Sequence, residues 1–164
     1  MSRHRVQAIT LVLSLAALIP AGCTTGTSGR SEVLAELHLF GLPVALNLDG
    51  KPGPDGIGVR VYASAAGLAM GIPISRGTLE VLMFDGVVVE SELRTKPPRH
   101  TWTLPAAALK PFASLTSLGT GYQLALRWEQ DSPRTPVVTV MARYHSPEGG
   151  ELQSAANTVS VALK

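Results

Sequence analysis

Residues 122–129 read Tyr-Gln-Leu-Ala-Leu-Arg-Trp-Glu and alternate large apolar side chains with polar or small ones. A period of two places successive side chains on opposite faces of an extended chain, so this stretch predicts a half-buried β-strand. The stretches 137–144 and 158–163 alternate in the same way. From Ser31 onward we therefore expect strands rather than amphipathic helices.

Turn residues divide the rest of this region into further strand-like runs. We expect strands in five apolar segments, residues 33–40, 44–48, 58–63, 78–84 and 87–93. Most of these segments are separated by sequences typical of turns: Asp49-Gly50, Pro54-Asp55-Gly56, Asp85-Gly86 and Pro147-Glu148-Gly149-Gly150. Asp85-Gly86 lies between two β-rich runs and is the clearest hairpin signal in the chain.

One segment breaks the strand pattern. Pro105-Ala106-Ala107-Ala108-Leu109 favours a short helical turn, because proline suits a first helical turn and Pro111 ends it. We therefore predict an all-β protein. Its fold is an antiparallel β-sandwich, immunoglobulin-like or transthyretin-like, with about 7–8 strands and one short helical turn near residues 105–110. The predicted sandwich domain covers residues 32–164.

Composition excludes several classes of protein. The chain has 164 residues, of which 45% are hydrophobic and 16% charged, so one folded core is expected. Removing Arg3 and Arg5, which lie in a predicted leader, from the 14 basic residues leaves 12, equal to the 12 acidic residues. A neutral chain lacks the concentrated positive charge that binds nucleic acid. The single cysteine, Cys23, excludes an internal disulfide framework and a cysteine-based zinc cluster.

The first residues are typical of an export signal. The basic start Met-Ser-Arg-His-Arg precedes an apolar run from residue 8 to residue 19, interrupted only by Thr10 and Ser14. As a helix this run would span about 18 Å, against roughly 30 Å for a bilayer core. We therefore interpret residues 1–22 as a signal peptide rather than a membrane span.

The end of this leader, Pro20-Ala21-Gly22-Cys23, resembles the lipobox of bacterial lipoproteins, in which diacylglycerol is attached to the cysteine thiol. Ala21 and Gly22 match the pattern, whereas Pro20 stands where the family prefers leucine. The resemblance implies lipidation of Cys23, with the amine freed by cleavage taking a further acyl chain such as palmitate. The alternative is ordinary cleavage after Ala21, which leaves Cys23 as a free thiol or in an intermolecular disulfide.

Residues 24–31, Thr-Thr-Gly-Thr-Ser-Gly-Arg-Ser, contain no apolar side chain to bury. We predict that segment 23–31 consists of the lipidated cysteine and a flexible tether with a root-mean-square reach of roughly 15 Å. The domain would then stay close to its membrane. Thr24 replaces the aspartate that retains some lipoproteins in the inner membrane, so the implied location is the outer membrane, facing the periplasm.

The stretch from Asn47 to Tyr62, Asn-Leu-Asp-Gly-Lys-Pro-Gly-Pro-Asp-Gly-Ile-Gly-Val-Arg-Val-Tyr, resembles two family patterns. It is similar to the D-x-x-G-x-P-x-x-G-x-x-V-x-V pattern of transthyretin-like and carboxypeptidase-regulatory-like sandwiches. It also resembles the N-P-D, S-P and V-R-I-Y stretch of the type VI secretion outer-membrane lipoprotein, although that resemblance does not continue past Tyr62. The second resemblance would imply an accessory role in a secretion machine.

A longer resemblance is to a group of bacterial envelope lipoproteins of unassigned function. It is carried by Val59-Arg60-Val61-Tyr62, Gly77-Thr78-Leu79-Glu80-Val81, Phe84-Asp85, Thr101-Trp102-Thr103-Leu104-Pro105, Gly119-Thr120-Gly121-Tyr122 and Ala142-Arg143-Tyr144. The resemblance implies a single sandwich domain on a lipid anchor and supplies no activity.

Few residues are candidates for catalysis or metal binding. Beyond the leader, His38, His100 and His145 lack the spacing of metal ligands or of an acid–base motif. The sequence contains no Gly-x-Ser-x-Gly or Ser-x-x-Lys motif of a serine hydrolase. We therefore predict that the protein is not an enzyme and has no catalytic, cofactor-binding or metal-ligating residues.

Asn47, Asp49 and Asp55 place three oxygen-bearing side chains in one loop, which raises the possibility of a calcium site. Pro52 and Pro54 disrupt the spacing of an EF-hand loop, and Asx turns are the structural alternative.

The large aromatic residues and the arginines have mainly structural interpretations. Trp102, Trp128, Tyr122 and Tyr144 are expected in the core or at the sandwich edges, with a partner-facing aromatic patch as the alternative. Tyr122 is also a candidate corner residue whose hydroxyl bonds to the backbone. Arg60, Arg127 and Arg143 fall on the polar sides of strands, which predicts solvated faces.

We predict a membrane-anchored periplasmic lipoprotein that acts as a non-enzymatic binding or structural module of the cell envelope. Its expected partners are the membrane, through Cys23, and an unidentified envelope protein. The alternatives are an accessory lipoprotein of a secretion or export machine and, less favoured, an envelope hydrolase with a cleft of convergent polar groups.

Overall fold

The computed structural model describes residues 33–161. The predicted signal peptide, Cys23 and the predicted tether lie outside the described residues. Within the described part, nine strands form two antiparallel sheets that pack face to face, so the prediction of an all-β sandwich is confirmed. None of the helices among residues 33–161 has the length and apolar character needed to cross a membrane.

The strands follow one another along the chain with short helical segments between them. They are β1 (Leu34–Gly41), β2 (Gly56–Ala65), β3 (Thr78–Asp85), β4 (His100–Pro105), β5 (Ala113–Thr116), β6 (Gly119–Arg127), β7 (Val137–His145), β8 (Glu151–Gln153) and β9 (Asn157–Ser160). The helical segments are α1 (Ala106–Leu109) and two single-turn 3₁₀ helices, Glu90–Glu92 and Lys110–Phe112.

Sheet A has the strand order β1-β2-β6-β5, and sheet B has the order β4-β3-β7-β8, with β9 also paired to β7. Because β8 and β9 pair with successive parts of β7, they act as two halves of one interrupted edge strand. These orders correspond to the A-B-E-D and C′-C-F-G sheets of immunoglobulin sandwiches. Of the two predicted alternatives, the strand order is therefore the immunoglobulin-like one.

The facing sides of the two sheets form the main hydrophobic core. In β6, Tyr122, Leu124 and Leu126 point inward, followed by Trp128 just beyond the strand, as the alternation predicts. The other central strands contribute Ile57, Val59, Val61, Leu79, Val81, Met83, Val138, Val140 and Ala142. The predicted helical turn is confirmed as α1, which carries the chain from sheet B to sheet A and buries Ala106 and Leu109.

Strand pairing defines two ends of the sandwich. Leu34 pairs with Ala65, so the first described residue, Val33, lies at the same end as the β2–β3 loop. We call this the N-terminal end; it also carries residues 117–118 and 146–150. The opposite end carries the loops 42–55, 86–99 and 128–136.

Residues 87–93 do not form the predicted strand, and Asp85-Gly86 is not the turn of a tight hairpin. β3 ends at Asp85, and Gly86 adopts a left-handed φ of 80°. The chain then folds over the outer face of sheet B, where Val88 is buried and its N–H donates to Thr139 Oγ1 at 2.9 Å. Val88 is apolar because it covers a sheet face and not because it pairs in a strand, whereas Val87 and Val89 are exposed.

Residues 44–48 form only isolated bridges, from Val44 to Ser160 and from Leu46 to Gly56, so the strand predicted there is wrong. Three observed strands are not among the predicted ones, namely β4, β5 and β8. β5 and β8 are short edge strands whose side chains are mostly exposed, so they lack the apolar alternation that marks β6. The predicted strand 158–163 is observed as β9, and residues 162–164 lie outside the described part.

Two side chains link the sheets at the sandwich edges. Asn157 Nδ2 donates to Leu39 O at 2.9 Å, and its Oδ1 accepts from Gly41 N–H at 3.5 Å, which ties β1 to sheet B. On the other side, Trp102 Nε1 donates to Arg127 O at 2.5 Å and ties β4 to β6.

Candidate functional site

The outer face of sheet A carries an apolar groove with a volume of about 780 Å³. One wall consists of Phe40, Leu42 and Leu46, which come from β1 and the loop after it. The other wall, from the segment between α1 and β6, consists of Pro111, Phe112 and Leu118. We call this feature the sheet A groove.

Small residues form the floor of the sheet A groove because large side chains lie flat on the sheet beside them. A Cβ at Gly121 would lie 2.6 Å from the Tyr62 ring, and one at Gly58 would lie 2.5 Å from Leu42 Cδ1. Both glycines are therefore needed for the apolar groups to approach the backbone. Ala125 completes the floor between these covered positions.

Few polar groups face this groove. Arg60 Nη2 donates to Gln123 Oε1 at 3.4 Å, and the Tyr62 hydroxyl lies 3.4 Å from Thr116 Oγ1. The Phe40 ring meets Tyr62 edge-on, with ring centroids 6.1 Å apart. A concave apolar surface with a few polar groups at its margin is typical of a binding site for an apolar ligand or segment.

The outer face of sheet B carries charge instead. Glu80 on β3 accepts from Arg143 Nε and from His145 Nε2, both at 3.0 Å, and Glu151 on β8 lies 3.7 Å from His145 Nδ1. Partial burial alone would raise the pKa of Glu80, but hydrogen bonds from His145 and Arg143 together hold it below its usual value. The cluster joins three neighbouring strands, which is a structural role.

The other histidines expected to be structural also have acidic neighbours. His38 is exposed on β1 with Glu36 at 3.3 Å, on the solvated side of the strand as the alternation indicates. His100 Nδ1 lies 2.7 Å from Asp131 Oδ2, and this contact lowers the pKa of Asp131. His38 and Glu36 are two residues apart on the same strand, so their proximity follows from the sequence. The contact of His100 with Asp131 joins residues 31 apart and had no signal in the sequence.

The three oxygen-bearing residues of the β1–β2 loop bind backbone N–H groups. Asp49 Oδ1 accepts from Lys51 N–H at 2.9 Å, which is the Asx turn given as the structural alternative, and Asn47 Oδ1 accepts from Gly50 N–H, three residues on, at 2.8 Å. Asp55 Oδ1 accepts from Leu48 N–H at 2.5 Å. Among residues 33–161, no group of three or more His, Cys, Asp or Glu side chains is placed to hold a metal ion.

The hydroxyls of Tyr122 and Tyr144 form hydrogen bonds with the backbone of the β2–β3 loop. The Tyr122 hydroxyl accepts from Ile74 N–H at 2.7 Å, and the Tyr144 hydroxyl donates to Arg76 O at 3.0 Å. Burial raises the pKa of Tyr122, and the hydrogen bond from Ile74 opposes this in part. The backbone contact expected of Tyr122 is therefore present, with a loop 48 residues upstream as its partner.

The sequence reasoning missed the sheet A groove, and its one predicted site residue, Cys23, lies outside the described residues. Two signals in the sequence point toward the groove. Residues 111–126 contain no charged side chain, and the polar side of the β2 and β6 alternation holds Gly58, Gly121 and Ala125 where a solvated face would carry larger polar groups.

Comparison with known proteins does not place this chain in a family. No family model matches it, and no curated protein matches it either.

Proposed function

We propose that this protein is a lipid-anchored, non-enzymatic binding module of the cell envelope, which holds an extended apolar segment of an envelope protein in the sheet A groove. The groove is the observation that carries this proposal. It is lined by apolar side chains on a sheet face, and its margin carries a single hydrogen-bonded pair, Arg60 with Gln123, as its charged feature.

The anchor part of the proposal rests on the residues before the domain. The lipobox-like sequence ends at Cys23, and the sandwich is self-contained from Leu34 to Ser160, with its first strand starting two residues after the predicted boundary. A core built from residues between Leu37 and Val161 is compatible with a leader that is removed and a cysteine that is acylated.

The groove supports binding of a protein segment by its shape and lining. It crosses β1, β2, β6 and β5, so an extended chain lying in it would contact all four strands. Phe40 and Phe112, on opposite walls, are both partly exposed and would bury aromatic area on binding. Aromatic side chains around a desolvated centre are typical of residues that dominate interface energies.

A photocrosslinking residue in place of Gln123 tests the groove in intact cells, with the same residue in place of Thr103 on the outer face of sheet B as the control. We expect one protein to crosslink from position 123 and not from position 103. Adding Ala125→Trp, which fills the groove, should abolish that crosslink, whereas adding Glu36→Trp on the exposed side of β1 should not. Crosslinking that persists in the filled groove contradicts the proposal.

The anchor is tested by Cys23→Ser. We expect the wild-type chain to fractionate with outer membranes and to carry acyl chains on its first mature residue, measured by mass spectrometry. The substituted chain should lose both properties while keeping the β-rich circular-dichroism spectrum. An unacylated wild-type chain contradicts the anchor.

A second candidate function is an accessory lipoprotein of a secretion machine. The resemblance between Asn47 and Tyr62 favours it, because this stretch includes Gly58, Arg60 and Tyr62 of the groove. If the crosslinked protein is an inner-membrane component of a secretion machine, this candidate is supported; an outer-membrane or soluble periplasmic partner contradicts it.

A further inference from the structure

Two segments without any charged residue meet at the N-terminal end of the sandwich. Residues 61–75 run through the end of β2 into the β2–β3 loop, and residues 111–126 run through β5 into β6. They are joined by hydrogen bonds from Gly71 N–H to Leu118 O at 2.7 Å and from Thr120 N–H to Gly71 O at 2.8 Å. The result is an uncharged surface built from two connected loops.

Four exposed side chains of these two segments at this end of the sandwich are large and apolar. Leu68 and Met70 belong to the β2–β3 loop, and Leu115 and Leu118 belong to the β5–β6 hairpin. All four are exposed, and Leu115 is 85% exposed. We call these four residues the apolar tip. Such a cluster at one end of a domain is typical of a surface that contacts a partner or a membrane.

The loops that carry the apolar tip are held in place. Ile72 N–H donates to Ala63 O at 2.7 Å, and Tyr122 and Tyr144 bind the same loop from the core side at Ile74 and Arg76. The side chains of the tip are therefore presented by a fixed backbone, which reduces the entropy lost when the tip binds.

The described chain begins beside the tip. Val33 is 81% exposed and precedes Leu34, which pairs with Ala65, and Ala65 O accepts from Leu68 N–H at 3.0 Å. Only residues 24–32 separate Val33 from Cys23. If this segment is the tether predicted from the sequence, with a reach of roughly 15 Å, a lipid attached to Cys23 would hold this end of the sandwich nearest the membrane.

We infer that the apolar tip inserts into the interfacial region of the leaflet that holds the anchor, so that the domain contacts lipid at two places. This inference rests on the proposed lipid anchor for its direction. Interfacial insertion reaches about 5–10 Å into the headgroup boundary, a depth that leucine and methionine side chains on a loop can attain. At this end, Arg76 of the β2–β3 loop and Glu148 of the loop after β7 pair with each other at 2.6 Å, so their charges offset one another.

Leu118 belongs both to the wall of the sheet A groove and to the apolar tip. A tip in the membrane places one end of the groove at the lipid surface. The groove is then open to a segment of a partner that itself leaves the bilayer.

Tryptophan fluorescence tests the inference. The full chain carrying Leu68→Trp is reconstituted into vesicles of phosphatidylethanolamine and phosphatidylglycerol with bromine atoms near the top of the acyl chains. Val87→Trp is the matched control, since Val87 is an exposed apolar residue at the opposite end. The native Trp102 and Trp128 are common to both variants. Quenching is measured only on protein that sediments with the vesicles, whether the acyl chain or the apolar tip attaches it to them.

We expect about twofold stronger quenching with Leu68→Trp than with Val87→Trp, because only the tip lies within the depth of the bromines. Leu115→Trp should behave like Leu68→Trp and serves as the second variant if Leu68→Trp does not fold. Equal quenching at both ends overturns the inference, and so does failure of any chain to sediment. A tip covered by a second copy of the chain would also give equal quenching. Acylation, measured by mass on the same preparation, is judged separately, so a missing acyl chain contradicts the anchor and not the tip.

Discussion

Both sheets carry apolar side chains on their outer faces, but they differ in how far loops cover those side chains. Sheet B has apolar side chains on its outer face at Leu82, Phe84 and Met141, and residues 86–99 cover them, adding Val88 and Leu93 to form a second small core. Sheet A also has apolar groups on its outer face, but its loops cover them only in part and leave the sheet A groove. Since exposed apolar area is costly in water, a sheet that covers its own face is complete, whereas one that leaves a groove can bind a partner.

The aromatic residues show the difference most clearly. Phe84 is fully buried beneath the covering segment of sheet B, whereas Phe112 on the groove wall of sheet A is 44% exposed. We interpret the outer face of sheet B as part of the folding core, and in our proposal the outer face of sheet A binds a partner.

The largest expected effect separates these two phenylalanines. Phe84→Ala should lower the free energy of unfolding by about 3–5 kcal/mol, because it leaves a cavity between sheet B and its cover. Phe112→Ala removes a partly solvated side chain and should lower it by less than about 1 kcal/mol. Urea denaturation of the two variants measures both values. Equal losses would show that the groove wall is part of the folding core.

The next effect compares two tyrosine hydroxyls on opposite sides of sheet A. Tyr122→Phe leaves the buried Ile74 N–H without its acceptor and should cost about 1–3 kcal/mol of unfolding free energy. Tyr62→Phe loses only the 3.4 Å contact with Thr116 and should cost less than about 0.5 kcal/mol. Urea denaturation of the two variants measures both losses of unfolding free energy. A larger loss for Tyr62→Phe than for Tyr122→Phe would contradict our assignment of Tyr122 to the inner face and Tyr62 to the outer face.

The charged half of sheet B should make stability depend on pH. Because the folded pKa of Glu80 lies below its unfolded value, its contribution is complete above the unfolded pKa and is lost as pH falls through the folded one. We expect an effect on the order of 1 kcal/mol, since the cluster is partly solvated. Glu80→Gln should flatten the acid limb of a plot of unfolding free energy against pH.

The control for that experiment is Glu36→Gln, which changes an exposed carboxylate on sheet A. An acid limb that is identical in wild type and Glu80→Gln would show that the Glu80 cluster does not stabilise sheet B.

The smallest expected effect on stability belongs to the groove floor. Ala125→Trp places a large side chain on an exposed position of β6 and should change the unfolding free energy by no more than about 0.5 kcal/mol. The variant is therefore suitable for testing partner binding. A loss of several kcal/mol would show that the groove must remain open for the sandwich to fold.

Individual residues show why some elements were predictable from sequence and others were not. Tyr122, Leu124 and Leu126 alternate because one face of β6 is buried, so a local pattern sufficed. Val88 is apolar because it meets Phe84 and Met141, which belong to other segments, and the local pattern at residues 87–93 therefore indicated a strand that does not exist. His145 and Glu80 lie 65 residues apart, so their contact had no signal in the sequence.

The groove was harder to predict than the fold. Its floor depends on Gly58 and Gly121, whose small size is informative only once Leu42 and Tyr62 are known to lie over them. The walls come from segments that precede β2 and follow α1, and only the strand order brings them to one face.

The amino-acid sequence by itself determined the all-β class, the main central strands and the short helical turn, because side-chain alternation, turn residues and proline act over a few neighbouring positions. It also determined the expectation that Cys23 carries a lipid. Only the tertiary structure decided which outer face is covered, where the charges of Glu80, Arg143 and His145 meet, and that a groove and an apolar tip exist. Those features depend on contacts between residues distant in the chain, and the packing of two sheets is what makes such residues neighbours.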